Sequence, residues 1–301
     1  MNMILPEYEQ SVMVKDLSFK YSNVSPLDKR YNKTVINDVS FELKKGSRCL
    51  LIGSNGSGKT TLMRILSGRH LTQNPRNIRV CGLDPYSDCR MNFHRSYLDC
   101  NWGLRSVSFT GSGIPMCADI PVYGMMEKLQ SEYPERRDEI VKMLRIDLNW
   151  RMNCLSDGQR RRVQLLLGLV RPFEILLMDE ITTSLDVIVR QDLLRWLEKE
   201  SKTRGCTIIY ATHIFDGLDD WPTDLLYLTN NGTIGYSGKL TDLDYYVELK
   251  RTNHPAKMLA IALDRLGVEV YKKEMEGGVE EKSDPSDRQG GYASGRNMKV
   301  V

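Results

Sequence analysis

Cys49-Leu50-Leu51-Ile52-Gly53-Ser54-Asn55-Gly56-Ser57-Gly58-Lys59-Thr60-Thr61 is a short apolar run, then a glycine-rich turn, then the opening of a helix. Its second part fits G-x-x-x-x-G-K-[ST]. The order decides the fold class: a buried strand that feeds such a loop and then a helix belongs to an α/β domain. Glycines let the backbone curl until successive N–H groups face one point. Gly53, Ser54, Asn55, Gly56, Ser57, Gly58, Lys59, Thr60 and Thr61 are therefore expected to cradle phosphate. Lys59 can reach the terminal phosphates and Thr60 can offer its hydroxyl to Mg²⁺. The positive end of the following helix adds to the attraction.

Three more segments bear on the same chemistry. Glu174-Ile175-Leu176-Leu177-Met178-Asp179-Glu180 is an apolar strand that ends in two carboxylates. After a phosphate loop, Asp179 is expected in the Mg²⁺ shell, and Glu180 is expected to orient and polarise water. His213 follows a second apolar strand in Tyr210-Ala211-Thr212-His213. That places it at the C-terminal edge of the sheet, where open α/β folds bind ligands, so it is assigned to the γ-phosphate side. Leu155-Ser156-Asp157-Gly158-Gln159 opens a helix, with Ser156 as N-cap and Gln159 completing a capping box. Asp157 sits where a negative charge suits the helix dipole. Taken alone, these five residues could simply start a helix.

Outward from these motifs, residues 12–19, 35–43, 48–52, 175–178 and 207–211 read as strands. Residues 225–228 and 233–236 read as a hairpin around Asn230-Asn231-Gly232. Helices are expected over 60–66, 156–170, 188–201 and 255–266, and helical spacing recurs over 122–132 and 136–144. The stretch 103–170 thus reads as a small helical insertion. After about residue 272 the chain is rich in Gly, Ser and charge, which reads as a disordered tail.

Composition excludes several classes. Hydrophobic residues make up 41% and charged residues 27% of the 301, the balance of a globular protein in water. No apolar run reaches a membrane-spanning length, and the N-terminus lacks signal-peptide regions. The seven cysteines are scattered, with no Cys-x-x-Cys pair, which argues against a disulfide framework or zinc site. A net charge of +3 is too small to argue for nucleic acid. Arg160-Arg161-Arg162 reads as surface and phosphate-adjacent charge.

Together these motifs resemble the ATP-binding cassette (ABC) ATPases over residues 12–245. Residues 53–61 match the family's Walker A motif, 155–159 its signature, and 175–180 its Walker B motif with the catalytic glutamate. Thr183-Ser184-Leu185-Asp186 matches the D-loop, and His213 the switch histidine. Tyr21 matches the aromatic that stacks on adenine, with Tyr31 in reserve. The resemblance implies a P-loop NTPase with an ABC-type central sheet, an N-terminal antiparallel β subdomain and a helical insertion carrying the signature. It implies ATP and Mg²⁺ as cofactors and a head-to-tail dimer, most simply of two copies. Ser156, Gly158 and Gln159 would then serve ATP bound by the other subunit. The implied organisation is an ATPase domain over 12–245, a helical extension over 246–271 and a tail over 272–301.

The flanks narrow the resemblance. Ile146-Asp147-Leu148-Asn149-Trp150-Arg151-Met152, the signature helix and Trp221-Pro222 look like the eukaryotic ABC proteins that lack membrane domains. That group includes plant subfamily I members and a fungal member associated with the deadenylase and transcription-regulatory complex. The implied role is an ATP-driven adaptor or regulator in the cytoplasm, with the nucleus as a further compartment. The alternative is the nucleotide-binding subunit of a transporter with separate membrane chains. A nucleic-acid or translation machine is the weakest reading, since neither an inserted coiled coil nor a second cassette is visible.

There are departures from the family pattern. No Gln lies between Gln73 and Gln130, where the family places one, and Asn101 is the nearest substitute as a metal-side ligand. Ile181 and Ser184 replace the usual proline and alanine of the D-loop, and Asp157 replaces a glycine. A carboxylate ~4 Å from a phosphate charge costs about 4 kcal/mol at an effective dielectric near 20, so the Asp157 side chain is expected to point away.

Overall fold

The computed structural model describes residues 5–21, 34–100, 102 and 119–276. In chain order, β1 (Gln10–Lys20) and β2 (Thr34–Lys44) pair antiparallel, and β3 (Arg48–Ile52) leads through the glycine loop into α1 (Lys59–Leu66). β4 (Ile78–Val80), α2 (Met91–His94) and β5 (Arg95–Asp99) follow. The insertion contributes α3 (Glu127–Glu132), α4 (Pro134–Leu144) and α5 (Asp157–Leu169). Then come β6 (Ile175–Asp179), α6 (Val187–Arg204), β7 (Thr207–Ala211), β8 (Asp224–Leu228), β9 (Ile234–Lys239), α7 (Asp244–Arg251) and α8 (Lys257–Glu276).

The strands form a three-stranded sheet, β2-β1-β4, and a six-stranded sheet, β5-β6-β7-β3-β8-β9. The first is antiparallel throughout. In the second, β5 through β8 run parallel and β9 closes the edge antiparallel to β8. The α/β architecture, the antiparallel β subdomain and the helical insertion are therefore all present.

The apolar runs of β3, β6 and β7 bury both faces of the central sheet, as parallel strands do. Leu50, Ile52, Leu176, Met178, Ile208 and Tyr210 face one core, shared with α5 and α6. Cys49, Leu51, Ile175, Leu177, Ile209 and Ala211 face the other, shared with α1 and the antiparallel sheet. Each large apolar side chain buried this way stabilises the fold by roughly 1.5–3 kcal/mol. The result is a stiff sheet whose parallel strands all end on one edge.

Differences from the sequence reading have local causes. β5 carries mixed polarity because it is the edge strand, and only Leu98 and Asp99 of it are buried. The helical spacing over 122–132 resolves into one 3₁₀ turn, Val122–Gly124, followed by α3. Pro134 separates α3 from α4 because it fits a first helical turn but cannot continue a helix. The expected helical extension over 246–271 consists of two helices, α7 and α8, of which only the second was given its own span. α8 runs to Glu276, past the expected boundary at 271, and residues 277–301 lie outside the described residues.

Candidate functional site

The register brings the motif-bearing strand ends side by side. Leu51 of β3 and Asp179 of β6 are both level with Ala211 of β7, which lies between them. Asp99 of β5 is level with Asp179 on the other side. Residues 53–61, Asp179, Glu180 and His213 therefore share the C-terminal edge of one sheet.

The glycine loop is tightly enclosed. Gly58 is the N-cap of α1 at φ 103°, and no side chain caps this helix end. A Cβ on Gly58 would lie 2.9 Å from the Val35 carbonyl oxygen, and one on Gly53 2.5 Å from the Leu228 carbonyl oxygen. Only glycine meets both conditions, so the α1 amides are left facing an anion-sized cradle. Lys59 is 6% exposed, and its Nζ donates to the Gly53 and Ser54 carbonyls at 2.7 and 2.9 Å. Burial lowers the Lys59 pKa, while Glu180 and Asp179 push it back up. The Ser57 hydroxyl is buried with no hydrogen-bond partner among the described residues. Ser54 donates to Asn230 in the β8–β9 turn.

The carboxylates differ in setting. Asp179 is 2% exposed. Burial holds its carboxyl above the usual range, a hydrogen bond with Thr60 opposes this, and Glu180 and Asp99 push it higher. Its Oδ1 has no hydrogen-bond partner among the described residues. An unsatisfied carboxylate oxygen beside the Thr60 hydroxyl is a hard-oxygen donor set that fits Mg²⁺. Glu180 stands at φ 51°, a left-handed backbone that a non-glycine residue rarely adopts. Its N–H donates to the Ala211 carbonyl at 2.9 Å, which pins that turn to β7. His213 Nε2 donates to Glu180 Oε1 at 2.9 Å. Thr212 accepts from the Ile214 N–H at 3.0 Å and shapes the turn that presents His213.

Tyr21 lies beside the start of α1, its hydroxyl 3.0 Å from Thr61 Oγ1 and 3.3 Å from His70 Nε2. It meets Phe19 and His70 edge-on, and those two rings stack on each other. Tyr31 and Asn101 lie outside the described residues.

The segment 155–159 adopts the capping box expected of it. Ser156 Oγ accepts from the Gln159 N–H at 3.3 Å, and Gln159 Oε1 accepts from the Ser156 N–H at 3.0 Å. The Asp157 side chain is 91% exposed and pairs outward with Arg160 at 3.1 Å. This segment contacts the stretch after Glu180 in its own chain: a Cβ on Gly158 would lie 3.0 Å from the Ser184 carbonyl oxygen.

Arg160, Arg161 and Arg162 are not simple surface charge, which corrects the sequence reading. Arg160 also donates to the Leu155 carbonyl at 3.2 Å. Arg161 donates to the Asp99 and Cys100 carbonyls, both at 3.1 Å. Arg162 pairs with Asp186 at 2.7 Å, and Asp186 in turn N-caps α6. Sequence reasoning missed the Arg160 and Arg161 targets because backbone carbonyls have no sequence signature, and missed Asp186 because it lies 24 positions beyond Arg162. It also missed Asn230 as a partner of the loop, although a turn residue at the end of a central strand was a usable signal.

Comparison with known proteins gives a consistent picture. Residues 36–183 match the family described as ABC transporter. The chain is 46% identical over 222 residues to ABC transporter I family member 20 of Arabidopsis thaliana, covering 73% of this chain and 67% of that protein. It is 37% identical over 246 residues to CCR4-associated factor 16 of Saccharomyces cerevisiae, covering 79% of this chain and 82% of the relative. Among solved structures, a dimeric ATP-binding cassette in a post-hydrolysis state, bound to ADP and phosphate, aligns at a TM-score of 0.60 and 20% identity. That match covers 76% of this chain and 98% of the other, and it bears on the fold alone. Among the described residues, no helix is long and apolar enough to cross a membrane.

Proposed function

The chain belongs to the ATP-binding cassette family, and from that premise we propose that it hydrolyses MgATP in a head-to-tail dimer and acts as an adaptor or regulator of a protein complex. Membership of the family implies ATP binding and hydrolysis. The ATPase domain spans 12–245, with the helical insertion at about 103–170 and a C-terminal extension from 246.

In this reading residues 53–61 bind the phosphates, Lys59 neutralises their charge, and Tyr21 stacks on adenine. Thr60 and Asp179 hold Mg²⁺, which supplies charge neutralisation on the phosphates when bound. Glu180 accepts hydrogen bonds from the attacking water and polarises it. His213 holds the Glu180 carboxylate and offers a polar link towards the γ-phosphate. Ser156, Gly158 and Gln159 complete the site of a second copy. The observation that carries the reading is the Glu180–His213 pair on the same sheet edge as the glycine cradle and the unsatisfied Asp179 oxygen.

The adaptor role draws on the yeast relative, which is named as a CCR4-associated factor. The partner proposed here is accordingly a deadenylase or transcription-regulatory assembly, reached in the cytoplasm or nucleus. The test is affinity purification of the full chain carrying Glu180→Gln in the presence of ATP. Recovery of such an assembly without an integral membrane protein supports the reading. Stable recovery of a membrane permease would replace it with the transporter-subunit reading, which the name of the plant relative favours.

A further inference from the structure

The end of β5 is held by three parts of the molecule at once. Its Cα at Asp99 is level with Asp179 of β6. The Asp99 carboxylate pairs at 3.1 Å with Arg69, which lies just beyond α1. The Asp99 and Cys100 carbonyls, where the strand stops, are taken by two side chains of α5. Gln164 Nε2 donates to the Asp99 carbonyl at 2.8 Å, and Arg161 reaches both carbonyls. Gln164 is 3% exposed, and its Oε1 accepts from Arg161, so both ends of the amide are used. The buried part of this network, the Gln164 amide on the Asp99 carbonyl, favours one geometry, because a shift there leaves a desolvated group unpaired. α5 is also the helix that begins with the capping box at Ser156. It therefore links the segment that faces another subunit to the strand end beside Asp179. No glutamine lies between Gln73 and Gln130, so the linking amide comes from the helix side.

We propose that Gln164 and Arg161 are positioning residues for hydrolysis: they clamp the end of β5 and so keep Asp179 in place when the α5 N-terminus engages a second cassette's nucleotide. The proposal rests on the dimeric cassette reading above. ADP binding uses residues 53–61 of one chain and does not need the clamp, whereas turnover does.

The test compares Gln164→Met, which keeps length and loses both hydrogen bonds, with the parent protein. ADP affinity measured without Mg²⁺ should stay within about twofold, while kcat for MgATP falls about tenfold, since small displacements of a positioned group cost rate rather than binding. Arg161→Gln, which keeps one donor for one carbonyl, should give a smaller fall of about threefold. It serves as the deciding variant if Gln164→Met does not fold. Wild-type kcat in the folded variant, or equal losses of ADP affinity and kcat, would overturn the clamp. Glu180→Gln is measured in parallel. If it traps an ATP-dependent dimer while Gln164→Met turns over normally, only the clamp falls. If Glu180→Gln hydrolyses ATP like the parent, the cassette reading fails and the clamp fails with it.

Discussion

In the proposed reading the glycine cradle and the signature segment are two halves of one reaction, and the structure builds them by different means. The cradle is made of backbone: residues 53–58 turn between a fully buried strand and a helix, and the carboxylates sit where β6 ends two strands away. Its geometry follows from main-chain paths that a stiff sheet core keeps in register. The signature segment is placed by side chains. Its own turn is closed by the capping box, but its position relative to the sheet depends on Arg161, Arg162 and Gln164. A site made of backbone tolerates side-chain change away from its glycines. A site held by side-chain ties can be loosened one residue at a time. The difference suits a half-site that must meet another subunit and a half-site that must stay rigid around its own nucleotide.

The comparison can be broken most strongly at Glu180. In Glu180→Gln the phosphate release rate should fall by at least about 100-fold, the usual scale for losing a positioned general base. Size-exclusion chromatography with MgATP should then show a stable dimer, because the cradle and the signature segment are both intact. Lys59→Ala attacks the cradle alone. Losing a charge-assisted hydrogen bond costs roughly 1.5–3 kcal/mol, or about 10- to 150-fold in ATP affinity by equilibrium binding, and no dimer should form.

Asp179→Asn sharpens the contrast between binding and stability. Burial holds the Asp179 carboxyl above its ordinary range, so folding favours its protonated form. That contribution is full below the unfolded carboxylate value and is lost as pH rises through the raised folded value. Above the unfolded carboxylate value the buried Asp179 therefore carries a cost that Asn does not. The nucleotide-free variant should melt about 2–4 °C higher at pH 7, with the gain shrinking towards pH 4, while Mg²⁺-dependent hydrolysis is lost. A lower melting temperature at pH 7 would mean that Lys59 and Thr60 outweigh desolvation. Asp157→Gly should do least. Its carboxylate points to solvent and joins only an exposed pair with Arg160, so ATP-driven dimerisation should stay within about twofold of the parent. Loss of the dimer would give that carboxylate a positive role.

Much of this was legible because the decisive stretches are contiguous. Residues 49–61 carry strand, turn and helix in one reading frame, and 174–180 carry a strand with its acidic exit. The capping box at Ser156 and Gln159 spans four residues and formed as read. Arg160 to Arg162 could be read as charge but not as three separate anchors, because their partners lie up to 62 positions away and include the Leu155, Asp99 and Cys100 carbonyls. β5 was invisible because three of its five residues, Arg95, Ser96 and Tyr97, are only partly buried, so the strand shows neither alternation nor a continuous apolar run.

The sequence by itself determined the α/β class, the phosphate cradle, the two carboxylates with their histidine, and the helix that starts at Ser156. Each of these depends on near-neighbour backbone geometry and on periodic burial, which local sequence encodes. Only the tertiary structure decided that Asp99 meets Asp179, that Arg69 and α5 hold the same strand end, and that Ser184 lies against Gly158. Those contacts depend on strand order and on where side chains reach across the fold, and a one-dimensional pattern carries neither.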